Sequence, residues 1–395
     1  MIGTPDQTML VRELQWRLRS DHARPRLMVV GVGGLGLRIL NGLVRLGSDV
    51  EIIAAGRDLT RVQVGTNVAV FSAMQTTDDV ARVQCVALDL LDVDATAETL
   101  VVFRPDLVVH CATMQPYAAI AALPPESRNL LAEAGLGPWL APQLVLADHL
   151  MKAIQRSDLQ TLVVNCAYPD AVNPALAAVG RAPLVGIGNL ANNEPAIRRA
   201  IADELAVEFS DISVWMVMHH FVSHRIHRLG NAGGAPFHLS YRIRSDERAG
   251  EVPAERLFSL VASRYRREHA EGGKQIPAAS AVALVSALLG SNVRRLHAPA
   301  PVGLVGGFPV EVNRCKLAVV APPELTLQEA IDINTAAQRF DGIEKIGTDG
   351  QVTFSDEAVA VFEKALGHHC SRFHVDDAWD WTRELIARCK ERGIS

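Results

Sequence analysis

Apolar residues come in short blocks along this chain, and the spacing between them switches repeatedly from strand-like to helical. Residues 26–30, 49–55, 82–88, 106–111 and 161–166 are compact apolar runs of strand length. Between them, 37–46, 95–103 and 144–155 carry apolar side chains at helical spacing. Strands that are apolar on both faces and alternate with helices predict a parallel sheet covered on each side. The segment 7–20 predicts a short amphipathic helix ahead of the first strand. After about residue 190 the rhythm changes to helix 194–207, strand 211–218, an alternating strand 237–244, and helices 254–268 and 278–289. Short strands near Val293, Val310 and Leu317 follow, then helices at 325–338, 356–366 and 376–391. The expected architecture is α/β. A doubly wound parallel-sheet domain of Rossmann type spans 1–190, with helix 7–20 included. An α+β substrate-binding and dimerisation domain spans 191–395 and ends in a helical extension.

The first strand breaks into Gly31-Val-Gly33-Gly34-Leu35-Gly36 and then into a helix. Each glycine of such a G-x-G-x-x-G run has a mechanical task at a dinucleotide: a tight turn, a close approach of backbone to pyrophosphate, and close packing of helix on strand. The helix start, at Gly34, Leu35 and Gly36, offers N–H groups and a positive dipole end to the phosphates. The second strand ends Ala55-Gly56-Arg57-Asp58, without the acid that commonly accepts from a ribose in NAD sites. Arg57, with Arg61 one turn on, suits a 2′-phosphate, so NADP is the expected cofactor ahead of NAD. The competing reading makes Arg57 a solvated loop residue and Asp58 a helix N-cap.

Composition narrows the function classes. Hydrophobic residues are 49% and charged residues 21% of the 395, an ordinary folded composition. A formal charge of −5 and the lack of a DNA-binding motif argue against a nucleic-acid partner. Six cysteines without C-x-x-C spacing read as reduced thiols. Asp6, Arg12 and Glu13 stand where a secretory signal needs an apolar core, and no apolar run approaches the ~20 residues of a membrane span. A cytoplasmic protein acting on a small molecule, with no membrane partner, is the expectation.

Several further segments resemble the lactate/malate dehydrogenase family over residues 26–320. The apolar run Asp106-Leu-Val-Val-His-Cys-Ala112-Thr113 is similar to the family strand that leads to the nicotinamide, which places Ala112 among the cofactor contacts. Leu162-Val-Val-Asn165-Cys-Ala-Tyr-Pro169 matches its strand and Asn-containing loop, and Leu184-Val-Gly186-Ile-Gly188-Asn-Leu190 its v-x-G-x-G strand. Trp215-Met-Val-Met-His219-His220-Phe221 has the spacing that puts His220 on the family's catalytic histidine. Ala278–Ala287 resembles the helix lining its substrate pocket, and Gly306-Gly-Phe-Pro-Val310 its later Pro-Val strand. The resemblance implies a Rossmann-fold, homo-oligomeric oxidoreductase, a homodimer or larger. The chain also departs from the pattern. The acid that would orient the histidine falls at Asn193, and the substrate-gripping arginine falls at Ala196. Glu194 orients His220 only if the register slips by one, and Arg198 and Arg199 lie on other helix faces.

His219, His220, His224, His227 and His238 crowd five of the thirteen histidines into twenty residues, with Arg225, Arg228, Arg242, Arg244 and Arg248 among or beyond them. A histidine can give a proton to a carbonyl oxygen as hydride arrives and take it back in reverse. That role is assigned to His220. Asn165 either orients the reacting group or caps its strand. The arginines read as a solvated face, with an anion-binding wall as the alternative. No metal is expected, because the strip continues an apolar strand and its spacings converge only on a helix. The alternative is a metal- and NAD-dependent glycosidase or lyase on the same architecture, with Cys166 and His220 as ligands. A non-catalytic dinucleotide sensor is a third reading. The Tyr-x-x-x-Lys pair of short-chain dehydrogenases is missing: Tyr117, Tyr168, Tyr241 and Tyr265 meet Ala121, Val172, Ser245 and His269. The chain therefore reads as an NADP-dependent oxidoreductase that reduces a C=O or C=N bond of a small polar metabolite.

Overall fold

The computed structural model describes residues 13–16, 24–115, 124–244, 251–268 and 270–392. Within the predicted helix 7–20 the described part is a strand, β1 (Glu13–Gln15), and the rest lies outside these residues, as do Tyr117 and Arg248. Then come β2 (Arg26–Val30), α1 (Gly34–Leu43), β3 (Glu51–Gly56), α2 (Leu59–Met74), β4 (Arg82–Ala87), α3 (Val93–Phe103) and β5 (Leu107–His110). Helices α4 (Pro125–Glu133) and α5 (Leu140–Ser157) lead to β6 (Leu162–Asn165), α6 (Pro169–Ala177) and β7 (Val185–Gly186). The six strands β2 to β7 form one parallel sheet in the order β4-β3-β2-β5-β6-β7.

The continuous apolar runs follow from that sheet. Leu27, Val29, Ile52, Ala54 and Val109 point to one face, beneath α1 and α2. Met28, Val30, Ile53, Ala55, Val108 and Val163 point to the other, beneath α3 and α5. Burying such a side chain contributes roughly 1.5–3 kcal/mol, so central strands gain on both faces. At the edge, β4 alternates exposed Arg82 and Gln84 with half-buried Val83 and Cys85.

The second half contains α7 (Glu194–Leu205), β8 (Ile212–Val217), α8 (His220–Leu229), β9 (His238–Ile243), α9 (Ala254–Ser263), the single turn α10 (Ala270–Gly273) and α11 (Gln275–Leu289). Strands β10 (Arg294–Pro299), β11 (Gly307–Asn313) and β12 (Lys316–Val319) form an antiparallel sheet to which β1 adds beside β12. Strands β8 and β9 pair as an antiparallel ribbon. The tail holds α12 (Leu327–Ala337), β13 (Ile343–Ile346), β14 (Gln351–Phe354), α13 (Asp356–Leu366), β15 (Arg372–His374) and α14 (Ala378–Glu391). The architecture is a doubly wound parallel sheet followed by α+β elements.

Three expectations change. The helix expected over 254–268 stops at Ser263. The tail holds a three-stranded sheet, β13-β14-β15, that the helical patterns around it concealed. Helix 271–289 is long and apolar enough to cross a membrane by length and composition, although the sequence blocks had suggested no such run. Its Ala278, Ala281, Leu284, Val285 and Leu288 are buried in the core shared with α1, which accounts for its apolarity. The tail packs on the parallel-sheet half. Ile343, Val352 and Phe373 share a cluster with Leu144 of α5 and Tyr168 and Val172 at α6.

Candidate active site

The glycine loop joins β2 to α1 at the C-terminal edge of the sheet. Gly31 has φ +93°, and a Cβ there would stand 2.8 Å from the Ala112 nitrogen, so the turn needs glycine both for conformation and for space. A Cβ on Gly36 would drive into the Gly31 carbonyl oxygen. Gly33 caps α1 without any side-chain bond, and a Cβ on it would meet no atom within 4 Å. The first N–H groups of α1, from Gly34, Leu35 and Gly36, have no carbonyl one turn back inside the helix. A narrow turn, an open face and unpaired donors fit a pyrophosphate. Arg57 is exposed directly after β3, while Asp58 accepts from the Arg61 nitrogen at 3.0 Å and caps α2. The capping role of Asp58 and a phosphate role for Arg57 are thus compatible.

Further along the same edge, β6 ends at Asn165 and α6 starts at Pro169. The backbone N–H of His220 donates to Asp170 Oδ1 at 2.9 Å, which ties the start of α8 to the start of α6. His220 Nδ1 lies 2.7 Å from Asp341 Oδ2, and a carboxylate oxygen there makes Nδ1 the donor. The same oxygen accepts from the Tyr168 hydroxyl at 2.7 Å, and Asp341 Oδ1 accepts from the Leu136 N–H at 2.9 Å. Asp341 is 2% exposed and His220 16%, so the carboxylate is enclosed while the imidazole edge reaches solvent. Its Nε2 is the ring nitrogen left for a ligand.

The charges are matched. Burial alone would depress the His220 pKa, but the Asp341 carboxylate and its hydrogen bond carry it above the ordinary value. Burial opposes ionisation of Asp341, yet the His220 imidazolium and its hydrogen bond hold that carboxyl well below the usual range. Asp170 is fully buried, and burial raises it to about 6 even though Asn189 donates to it. Burial pushes His219 down to about 4 and leaves it a neutral neighbour.

Several sequence expectations are corrected here. Glu194 does not reach His220: it accepts from His297 Nδ1 at 2.9 Å, while His297 Nε2 accepts from the Met216 N–H at 3.1 Å. The orienting acid is Asp341, supplied from the tail. Asn193 is buried and donates to the carbonyl and hydroxyl of Ser223 at 2.9 and 3.0 Å. Arg198 donates to the Phe209 carbonyl and stacks on its ring, and Arg199 pairs with Asp203. Asn165 has a task other than orienting a ligand. Its Oδ1 accepts from the Ala167 N–H at 2.9 Å and lies 3.1 Å from His110 Nδ1. Its Nδ2 donates to the Ala167 carbonyl and to Asn173 Oδ1, both at 2.9 Å. With both donors and both acceptor sites engaged inside the protein, the amide locks the ends of β5 and β6 to α6.

The histidine strip is helical from His220 onward, so His220, His224 and His227 do share a face. The first two rings stack at 5.5 Å between centroids, and the second and third meet edge-on at 5.5 Å. Among the described residues, however, no group of three or more His, Cys, Asp or Glu is arranged to hold a metal ion. Cys166 faces Cys111, sulfur to sulfur at 3.5 Å, while His220 faces Asp341. Arg225 bonds Asn231, Arg242 lies over Trp215, and Arg244 pairs with Asp211, so these arginines line the surface.

Two cations were missed, Arg267 because 254–268 read as one helix and Lys274 because it falls between the two expected helices, 254–268 and 278–289. Arg267 follows the real end of α9 and donates to the Asn192 carbonyl and, at 3.2 Å, to Asn193 Oδ1. No carboxylate pairs with it among the described residues, and burial lowers its pKa to about 10. Lys274, before α11, lies across Gly34.

No family model matches this chain, and no curated protein does. Solved structures do. A lactate dehydrogenase from a Medee basin deep-sea metagenome library superposes with TM-score 0.51 at 12% identity, over 81% of this chain and 97% of that one. The lactate dehydrogenase of Eimeria maxima, solved with NADH and oxamate, gives 0.51 at 14% identity over 80% and 92%. The minor L-lactate dehydrogenase of Enterococcus mundtii, in a ligand-bound form, gives 0.52 at 13% over 80% and 96%. The chain has the lactate dehydrogenase fold. Identities of 12–14% carry the likeness no further than fold.

Proposed function

We propose that this protein is a nicotinamide-dinucleotide-dependent oxidoreductase that reduces a C=O or C=N bond of a small polar metabolite. The observation that carries the reading is the His220–Asp341 pair at 2.7 Å on the sheet edge that also holds the glycine loop. Strand β2 ends in the loop, β6 leads to the Asp170 that anchors His220, and the two strands are two spacings apart, about 10 Å. The dinucleotide, held by Gly31, Gly33, Gly34, Leu35, Gly36 and Ala112, would supply the hydride. Arg57 favours NADPH by gripping a 2′-phosphate.

His220 Nε2 gives its proton to the oxygen or nitrogen that gains charge, and Asp341 steadies the imidazolium before transfer and the tautomer after it. Tyr168 and the Leu136 N–H hold that carboxylate in place. Arg267 is a candidate for an anionic group on the substrate, because Asn193 links it to Ser223 on the His220 helix. In this reading 1–190 carries the cofactor and 191–395 supplies the acid/base and closes the site. A second copy of the chain would cover the apolar face of α2, where Val64, Val68 and Phe71 are 55–60% exposed at helical spacing.

The decisive test is titration of the purified protein with NADPH and NADH, followed by nicotinamide fluorescence. NADPH binding at least ~10-fold tighter than NADH, a gap of ~1.4 kcal/mol, supports the reading and the Arg57 role. Binding of neither rejects the oxidoreductase assignment.

A further inference from the structure

The connection between α9 and α11 brings a small charge cluster over the glycine loop. A Cβ on Gly34 would lie 2.7 Å from Lys274 Nζ and 3.2 Å from Glu271 Oε2. Lys274 and Glu271 are a close ion pair. Arg38, one turn beyond Gly34 on α1, donates to Glu271 Oε2 at 3.3 Å and to the Gly34 carbonyl at 2.6 Å. Two cations and the positive end of a ten-residue helix thus converge on a single carboxylate. That carboxylate lies beside Gly34, the first residue of α1, at the turn to which the dinucleotide reading assigns the pyrophosphate. The pair is also easily broken: the Glu271 side chain is 62% exposed, and exposed pairs hold weakly.

We propose that Glu271 is a built-in competitor of the dinucleotide. Its carboxylate and the incoming pyrophosphate contend for the same two cations, Lys274 and Arg38, at the first turn of α1. The inference rests on the dinucleotide reading above and adds to it. Pyrophosphate carries two negative charges against one on Glu271, so it takes over Lys274 and frees the carboxylate to swing into solvent. Lys274 is then a phosphate ligand, and Glu271 sets how much binding must be spent on displacing it. A merely structural ion pair makes the opposite prediction, since Glu271 would then hold Lys274 ready and its loss would weaken binding.

The test is calorimetric titration of NADPH, NADH and ADP-ribose into wild type, E271Q, K274M and the double variant, with the melting temperature followed in each. Both side chains are partly exposed, and each substitution keeps the length of its stem. E271Q should bind each ligand about threefold more tightly, the scale of one exposed ion pair. K274M should bind about tenfold more weakly, the scale of one charge-assisted hydrogen bond. In the K274M background, E271Q should change binding by less than it does in the wild type, since only Arg38 is then left to contend for. Unchanged or weaker binding by E271Q, or additive effects in the double variant, overturns the proposal while leaving the cofactor reading intact. Failure of both wild type and E271Q to bind any of the three ligands overturns both. ADP-ribose lacks the nicotinamide, so a tightening confined to NADPH and NADH would place the competition elsewhere and also reject it.

Discussion

At the glycine loop the groups that face a ligand are backbone N–H groups within six consecutive residues, Gly31 to Gly36. Around His220 the groups that fix the ring are side chains from three segments: Tyr168 and Asp170, His220 itself, and Asp341. The loop is shaped by what glycine omits, and a residue change acts there by filling space. The histidine cluster is shaped by what each side chain donates or accepts, and a change acts there by stranding a partner. Loss at the first end should appear in binding and stability. Loss at the second should appear in turnover and its pH dependence.

The largest effect is expected from His220→Ala. Turnover at saturating substrate should fall about 10³-fold, within the range of general acid catalysis, with dinucleotide affinity changed less than twofold. Intact turnover would remove the acid/base assignment. Asp341→Asn should cost about 10²-fold in kcat. It should also move the pH profile in a defined direction. The raised His220 pKa extends the proton-donating form to higher pH than an ordinary imidazole keeps it, so the rate of reduction should fall as pH rises through that pKa. Without the carboxylate, burial dominates and the inflection should shift to lower pH. An unshifted inflection would mean that Asp341 does not support the charge.

Gly36→Ala tests the other end. Its Cβ would press into the Gly31 carbonyl, with Cys111 Cβ 3.4 Å away, so a loss of roughly 1–3 kcal/mol is expected, visible as a lower melting temperature, together with weakened NADPH and NADH binding. Arg57→Ala should show the smallest effect, about tenfold weaker NADPH binding with NADH within twofold. A variant that weakens both cofactors equally would make Arg57 a general surface cation.

The contrast between the two ends also explains what could be read from the sequence. The strand, the glycines and the helix start are contiguous, so residues 26–43 displayed their structure and their fit to a phosphate together. His220 was singled out by the resemblance of Trp215–Phe221 to a dehydrogenase segment. Its partner was not, because nothing local distinguishes Asp341 from the other aspartates: it ends a single 3-10 turn, Gln338–Asp341, 121 residues downstream. Asn165 was located with two tasks open, and the structural one is the one its contacts fill: its amide is saturated by Ala167, His110 and Asn173, contacts that exist only after β5, β6 and α6 have met. Arg267 was hidden by apolar spacing that ran helix-like through a real break after Ser263, and Lys274 by its place in the connection, which carried no motif. The strands of the tail were hidden by the stronger helical patterns of α12, α13 and α14.

That late carboxylate has a consequence in time. A ribosome that has just made His220 must add 121 more residues before Asp341 exists. At about 5–20 residues per second, that is on the order of ten seconds. Through that interval the glycine loop and the strands of its parallel sheet are already available to fold, while His220 lacks the carboxylate that pairs with it. In the proposed reading, the part of the chain that grips a dinucleotide is complete well before the pair that donates the proton.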